Sequence, residues 1–397
     1  MKTWLGTLAI TASLALGCAE PPPPFGLDPA FYALCRDELG LGDRHCAEVA
    51  AWRLPEALPD ARGNAVADDE RAASLGRAIF FDEGFATVPG VSCASCHRPG
   101  LAFQDARAVS EVIAGSPGAR NSPSLYNAAW NEGFFFWDGR ADSLWSQPLF
   151  AFENEIEMNT TRLAIAHRVF DEHRAAYEEI FGALPALEDE ARFPLAGKPG
   201  DPQWEAMTGD DRRAVDAVAA NVGKALEAYM RRIASGPSAV DRYIDGDADA
   251  LEPDQVRGLA RFVLSGCGNC HSGPALSDDR FHVSSVGADT SDRGRAAGIE
   301  VLLASPFNSE GEHFDREAGA PLALPLEPTP DDEHAFRTPT MRNVALTAPY
   351  QHDGSRSLET ILAAPGLLYE PGDEVVIAAF LRALSGAPPP AQWASPP

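Results

Sequence analysis

Two short segments of the chain carry the residues most able to do chemistry. Cys93-Ala94-Ser95-Cys96-His97 and Cys267-Gly268-Asn269-Cys270-His271 share the form Cys-x-x-Cys-His. This is the attachment pattern of covalent c-type haem. Two intervening residues separate the thiols by roughly the distance between the two vinyl groups, so each forms a thioether. The adjacent histidine then supplies the proximal nitrogen to iron. A thioredoxin-like redox pair would need a βαβ context, which the sequence lacks. One zinc site shared by both pairs would need its halves close together, and they lie far apart in the chain. Two covalent haems are therefore expected, held by Cys93, Cys96, His97, Cys267, Cys270 and His271.

The elements that must position these segments are helical. Ala72, Leu75, Ile79 and Phe80 recur at helical spacing before the first motif, and Gly84 and Pro89-Gly90 end the run. Pro253 starts a second run, with Val256, Leu259, Phe262 and Val263 on one face. A third follows Val215, Val218, Val222, Leu226, Tyr229 and Ile233, and a short fourth covers 375–384. Strand-like alternation is scarce. The reading is a mostly α chain with two cytochrome c-like helical domains, at 66–235 and 236–397, a duplication visible only through the motifs.

Composition bounds the remaining choices. The 397 residues hold 32 Lys+Arg against 58 Asp+Glu, a formal charge of −26. Such a surface repels phosphate backbones, so no nucleic-acid partner is expected; it serves either to attract a basic protein or simply to keep the chain soluble. At the N-terminus, Lys2 and an apolar stretch over 5–16 read as a signal peptide, 1–17. Leu14-Ala15-Leu16-Gly17-Cys18 resembles a lipoprotein processing box, so Cys18 is either a lipid anchor or part of a plainly secreted chain. Both place the protein outside the cytoplasm, in the periplasm of a bacterium. Pro21 to Pro24 make a stiff spacer within an 18–65 extension. There Cys35 and Cys46 form a disulfide or stay as thiols. Segments 183–212 and 303–335, rich in Pro, Asp and Glu, read as surface insertions, either partner-docking or inert.

Further motifs carry a family resemblance. Leu75-Gly76-Arg77, Arg120-Asn121-Ser122-Pro123-Ser124-Leu125, Phe136-Trp137-Asp138-Gly139-Arg140, Arg337-Thr338-Pro339-Thr340-Met341-Arg342-Asn343 and Thr347-Ala348-Pro349-Tyr350-Gln351-His352-Asp353-Gly354 occur in order. The chain thereby resembles the bacterial di-haem cytochrome c peroxidases, a family that includes the MauG-type enzymes. The resemblance implies reduction of hydrogen peroxide at the first haem, with electrons from a small donor such as a c-type cytochrome entering through the second. It implies Glu157 as distal acid–base carboxylate, Gln147 as distal amide and Trp137 as the indole between the haems. It also implies a calcium ion held by Asn121, Thr347 and Pro349, and often a homodimer.

The departures from that family are as informative. Family peroxidases carry a histidine that caps the resting first iron, yet no histidine lies between His97 and His167. An open first iron, needing no reductive activation, is expected. No methionine follows Met341, so the usual thioether ligand of the second haem is missing. Tyr369 takes that place if Pro365-Gly366 bulges the chain; otherwise the position is open or water-filled. Both departures are shared with MauG-type oxidases, which modify a protein partner. A non-catalytic di-haem electron carrier is the remaining alternative, and it would have no use for Glu157 and Gln147.

Overall fold

The computed structural model describes residues 22–111, 118–283, 291–325, 327–364 and 367–397. The helices that frame the two motifs are α1 (Pro29–Asp37), α2 (Asp43–Ala50), α3 (Glu70–Phe81), α4 (Gln147–Glu153), α5 (Gly209–Met230), α6 (Pro253–Leu264) and α7 (Asp373–Ala383). A two-stranded antiparallel ribbon pairs β1 (Phe281–Val283) with β2 (Ala335–Arg337), Phe281 opposite Arg337.

Local chemistry sets each helix. The Asp69 carboxylate caps α3 by accepting from Arg71 N, and Thr208 caps α5 by accepting from Asp211 N. Pro253 opens α6, with Glu252 and Gln255 capping reciprocally. The helices then pack as two similar pairs. Gly76 of α3 lies against the Ala225 carbonyl of α5, and Gly258 of α6 against the Val376 carbonyl of α7; a Cβ at either glycine would collide. The duplication expected from the motifs extends to these crossings.

It extends further, to the segments after each motif. Asn127 and Asn343 both adopt left-handed backbone (φ 63° and 60°) and each opens a 3-10 turn. Their side chains converge on one hydroxyl, with Asn127 Nδ2 and Asn343 Nδ2 at 2.8 and 2.9 Å from Ser235 Oγ. Ser235 thus ties the two halves together.

Two large hydrophobic cores form among the described residues, beside a small cluster of Leu54, Trp130 and Ala275, and neither large core is contiguous in sequence. The first gathers Phe80, Phe103, Phe152 and Tyr229 and recruits Phe307, Phe314 and Trp393 from the second half. The second gathers Tyr243, Phe262 and Phe380 and recruits Phe31, Leu41, Val49 and Trp52 from the extension. Cys35 and Cys46 are joined (S–S 2.06 Å), stapling α1 to α2 on that second core. A division at residue 235 therefore describes the motifs but not the packing.

Segments 183–212 and 303–335, expected as surface insertions, are mostly exposed or half-buried, but they send anchors into the core. Leu187, Phe193, Trp204, Phe307 and Phe314 are buried in the first core. Their neighbours are polar enough to mimic a loop composition, while single large side chains make the anchors.

Candidate haem sites and the seam between them

The first motif is a single helical turn, Cys93–Cys96, capped by Ser92 with Ser95 Oγ accepting from Ser92 N at 3.0 Å. His97 follows, its N–H bonded to Cys93 O at 3.0 Å. Its Nδ1 lies 3.2 Å from the Phe103 carbonyl. That contact makes Nδ1 the donor and leaves Nε2 free to ligate a metal. Ala102 and Phe103 reach the histidine through left-handed backbone (φ 55° and 56°). Burial pushes the His97 pKa down, so the ring stays neutral, and raises the Cys93 thiol to about 12.

The second motif repeats this arrangement. His271 Nδ1 lies 3.2 Å from the Leu276 carbonyl, and Leu276 is also left-handed (φ 50°). Burial holds His271 down to about 4. Ser124 Oγ and Thr340 Oγ donate to the carbonyls of Ala102 and Ala275, each at 2.5 Å, buttressing the two loops alike. All four motif cysteines are free thiols. Two free thiols and one neutral imidazole at each site fit a covalent haem.

On the first site, Glu157 follows the loop that leaves α4. Its carboxylate accepts from Asn154 Nδ2 at 2.6 Å. Burial raises its pKa, opposed by the nearby Arg140 guanidinium and by Asn154. The Glu157 charge is felt by both Cys93 and Cys96, so it lies near the first motif. Arg140 stacks on Phe136 at 3.6 Å and pairs with Asp138 at 3.1 Å. Gln147 begins α4 and is half-buried. Asn154 and Arg140 were not singled out by sequence reasoning. Arg140 lies within a quoted motif, whereas Asn154 is marked only by its three-residue spacing from Glu157.

Trp137 lies in the seam where the halves meet. Its Nε1 donates to Asn121 O at 3.0 Å, and its own carbonyl accepts from Arg337 N at 2.8 Å. Asn121 N donates to His352 O at 2.7 Å. The His352 ring stacks on Phe336 at 3.7 Å. Arg120 pairs with Asp138 at 2.5 Å and Asp292 at 2.7 Å, a cross-half link that the sequence did not reveal.

Asn121 Nδ2 donates to Arg107 O at 2.9 Å, which directs the amide oxygen elsewhere. Thr347 Oγ1 and Tyr350 OH both bond the Val344 carbonyl, at 3.2 and 2.7 Å, fixing the turn that contains Pro349. Asn121 is tied to this loop through His352. Tyr369 packs against the second core, and its buried hydroxyl has no hydrogen-bond partner among the described residues. Burial raises its pKa, and Cys267 is among the groups whose charge it senses. Pro365-Gly366, Cys18 and segment 1–17 lie outside the described residues.

The family model described as di-haem cytochrome c peroxidase matches residues 70–249. Cytochrome c551 peroxidase of Pseudomonas aeruginosa is 31% identical over 348 residues, covering 86% of this chain and 85% of that one. The chain belongs to the di-haem cytochrome c peroxidase family. It is an oxidoreductase whose cofactors are two haems c. Methylamine utilization protein MauG of Methylorubrum extorquens, 29% identical over 315 residues, covers 79% of this chain and 73% of its own. Among solved structures, the diheme peroxidase BthA from Burkholderia thailandensis shares the mostly helical fold, with a TM-score of 0.59 at 21% identity over 85% of this chain and 94% of that one. No helix among the described residues is long and apolar enough to cross a membrane.

Proposed function

We propose that this member of the di-haem peroxidase family reduces hydrogen peroxide to water at the haem held by Cys93, Cys96 and His97, with electrons entering one at a time through the haem held by Cys267, Cys270 and His271. Bound haem supplies an iron that takes up peroxide and an electron reservoir. The chain's residues supply the rest. Glu157 carries the reading, because a buried carboxyl with a raised pKa near the first motif is suited to take the peroxide proton and return it to the departing oxygen. Asn154 orients that carboxyl, and Gln147 offers an amide to the oxygens. Histidines that could close the first iron are engaged elsewhere: His167 Nε2 lies 3.0 Å from Phe193 O, and His173 pairs with Asp82 at 2.8 Å. These engagements support an open face at rest. Glu157→Gln in the holoenzyme is expected to slow peroxide turnover by roughly 10²-fold or more, with haem spectra unchanged. An unchanged rate would remove Glu157 from the mechanism.

Trp137, hydrogen-bonded into both halves, is the bridge for electrons between the haems. Asn121 Oδ1 with the carbonyls of Thr347 and Pro349 supplies oxygen ligands for calcium, which would lock the seam. Electron entry is supported by an exposed apolar patch beside the second motif. Arg261 of α6 pairs with Asp373 of α7 at 3.3 Å, so Leu264, one turn on, lies toward residue 370. Leu264, Leu368 and Val375 are 54%, 79% and 65% exposed, with Glu370, Asp373 and Glu374 around them. Such a patch suits a small basic redox protein. A signal peptide, with or without lipid on Cys18, delivers the enzyme to the periplasm. A MauG-type oxidation of a protein is the second reading, favoured by the orphaned Tyr369 hydroxyl.

A further inference from the structure

Away from both motifs, a cleft of about 260 Å³ opens between the 59–62 segment, the turn after Ala129 and α5. Arg62, Asn131, Ser143, Glu227 and Arg231 are among its lining residues. Glu227 is only 3% exposed, yet it carries a carboxyl to the cleft wall. Asn64 Nδ2 donates to its Oε2 at 2.9 Å. The cations beside it on the same helix end are committed elsewhere. Lys224 pairs with Asp315 at 2.6 Å, and Arg231 pairs with Asp68 at 2.9 Å while also donating to Pro59 O. Arg62, across the cleft, is shared among Glu132, Asp142, Asp279 and Glu227 without an ion pair to any of them among the described residues. Glu227 therefore has no counter-ion of its own. Burial outweighs Asn64, Arg231 and Lys224, and with Asp68 raises its carboxyl to about 7.

The inner wall adjoins the segment that leads into Gln147. Gly223 of α5 lies against the Trp145 carbonyl, and Glu227 stands one turn further along the same helix face. Ser143, on the cleft wall, donates from its Oγ to Ser146 Oγ at 2.9 Å, and both serines are 1% exposed. Ser146 stands at the N-cap position of α4, donates from its Oγ to Ser143 O at 3.1 Å, and directly precedes Gln147.

We propose that this cleft is the proton inlet of the first haem pocket, with Glu227 holding a proton at its inner end and the Ser143–Ser146 hydroxyl pair passing it toward Gln147. The inference rests on peroxide being reduced at that haem. Each peroxide takes two electrons from the donor and two protons, and leaves as two waters. Glu157 moves the proton that peroxide already owns; the two further protons must come from solvent. Glu227 gives a proton inward and regains one from cleft water. Each hydroxyl releases a proton as it accepts another, so neither is consumed.

The test uses the holoenzyme, with Glu227→Gln and Ser146→Ala. Glutamine retains an acceptor for Asn64, and haem spectra with circular dichroism check the fold. Glu227→Gln is expected to lower turnover at neutral pH about tenfold, to abolish the limb of the pH–rate profile near 7, and to enlarge the solvent deuterium isotope effect. Ser146→Ala should enlarge the isotope effect and leave the limb in place. Without turnover, infrared spectroscopy of the holoenzyme should show a protonated-carboxyl band that titrates near 7 and is absent in Glu227→Gln. A wild-type pH profile and isotope effect in Glu227→Gln, or a band that persists in it, overturns the inlet. Absence of peroxide turnover in the unsubstituted protein would instead overturn the reaction on which the inlet rests.

Discussion

At the residue scale, the chemistry depends on which groups are kept neutral and which are left unpaired. His97 and His271 are held neutral by burial and oriented by a carbonyl on Nδ1, so each presents Nε2 as a ready ligand. Glu157 is the contrasting case, a carboxyl that burial makes reluctant to ionise. As a base it works only when ionised. Peroxide turnover should therefore fall as pH drops through a value above the ordinary glutamate range, and Glu157→Asp should move that limb. A steady-state pH profile measures both. Glu227 also affects stability. Its carboxyl rises from 4.5 to about 7 on folding, so the folded chain binds this proton more tightly than the unfolded chain. The contribution is complete below 4.5 and is lost as pH climbs toward 7. Glu227→Gln should flatten the denaturation midpoint across that window. Tyr369→Met should raise the potential of the second haem if the phenol ligates its iron, since a thioether ligand favours the ferrous state. An unchanged potential in spectroelectrochemistry would take Tyr369 off the iron.

At the scale of elements, glycines set the helix crossings and a disulfide sets the extension. Gly76 and Gly258 stand where a methyl would strike the backbone of the facing helix. Gly258→Ala should cost about 1–3 kcal/mol by overpacking, visible as a lower Tm. Replacing Cys35 and Cys46 by serine should cost about 2–3 kcal/mol and loosen α1 and α2 from the second core. Helix positions were legible in the sequence because apolar spacing and caps are local signals. Ala72 to Phe80 and Pro253 to Val263 marked α3 and α6 within a few residues. The anchors in 183–212 and 303–335 were not legible. A lone Phe193 or Phe314 among prolines and acids has no periodicity to mark it, and its burial depends on a partner far along the chain.

At the scale of the whole molecule, two similar halves are joined both by shared core packing and by polar junctions. Ser235 receives both Asn127 and Asn343, and Asn121 connects Trp137 to the His352 loop. The attachment residues of the site were readable because covalent chemistry demands a fixed spacing. The seam was not, since the Arg120–Asp292 pair and the Ser235 junction join residues over a hundred positions apart. If Asn121, Thr347 and Pro349 hold calcium as proposed, chelation should slow electron passage between the haems while leaving each haem's attachment intact. The net charge of −26 adds a further expectation. Oxidation of a basic donor should slow steeply as salt rises, whereas a small neutral reductant should be indifferent.

The account turns on one proposal, that the first haem keeps an open face beside Glu157. Electron paramagnetic resonance of the fully oxidised, as-isolated holoprotein tests it most directly. A high-spin ferric signal from one of two haems, present without prior reduction, is the predicted result. Two low-spin haems at rest would mean that a side chain already closes the iron, and peroxide reduction there without activation would be contradicted.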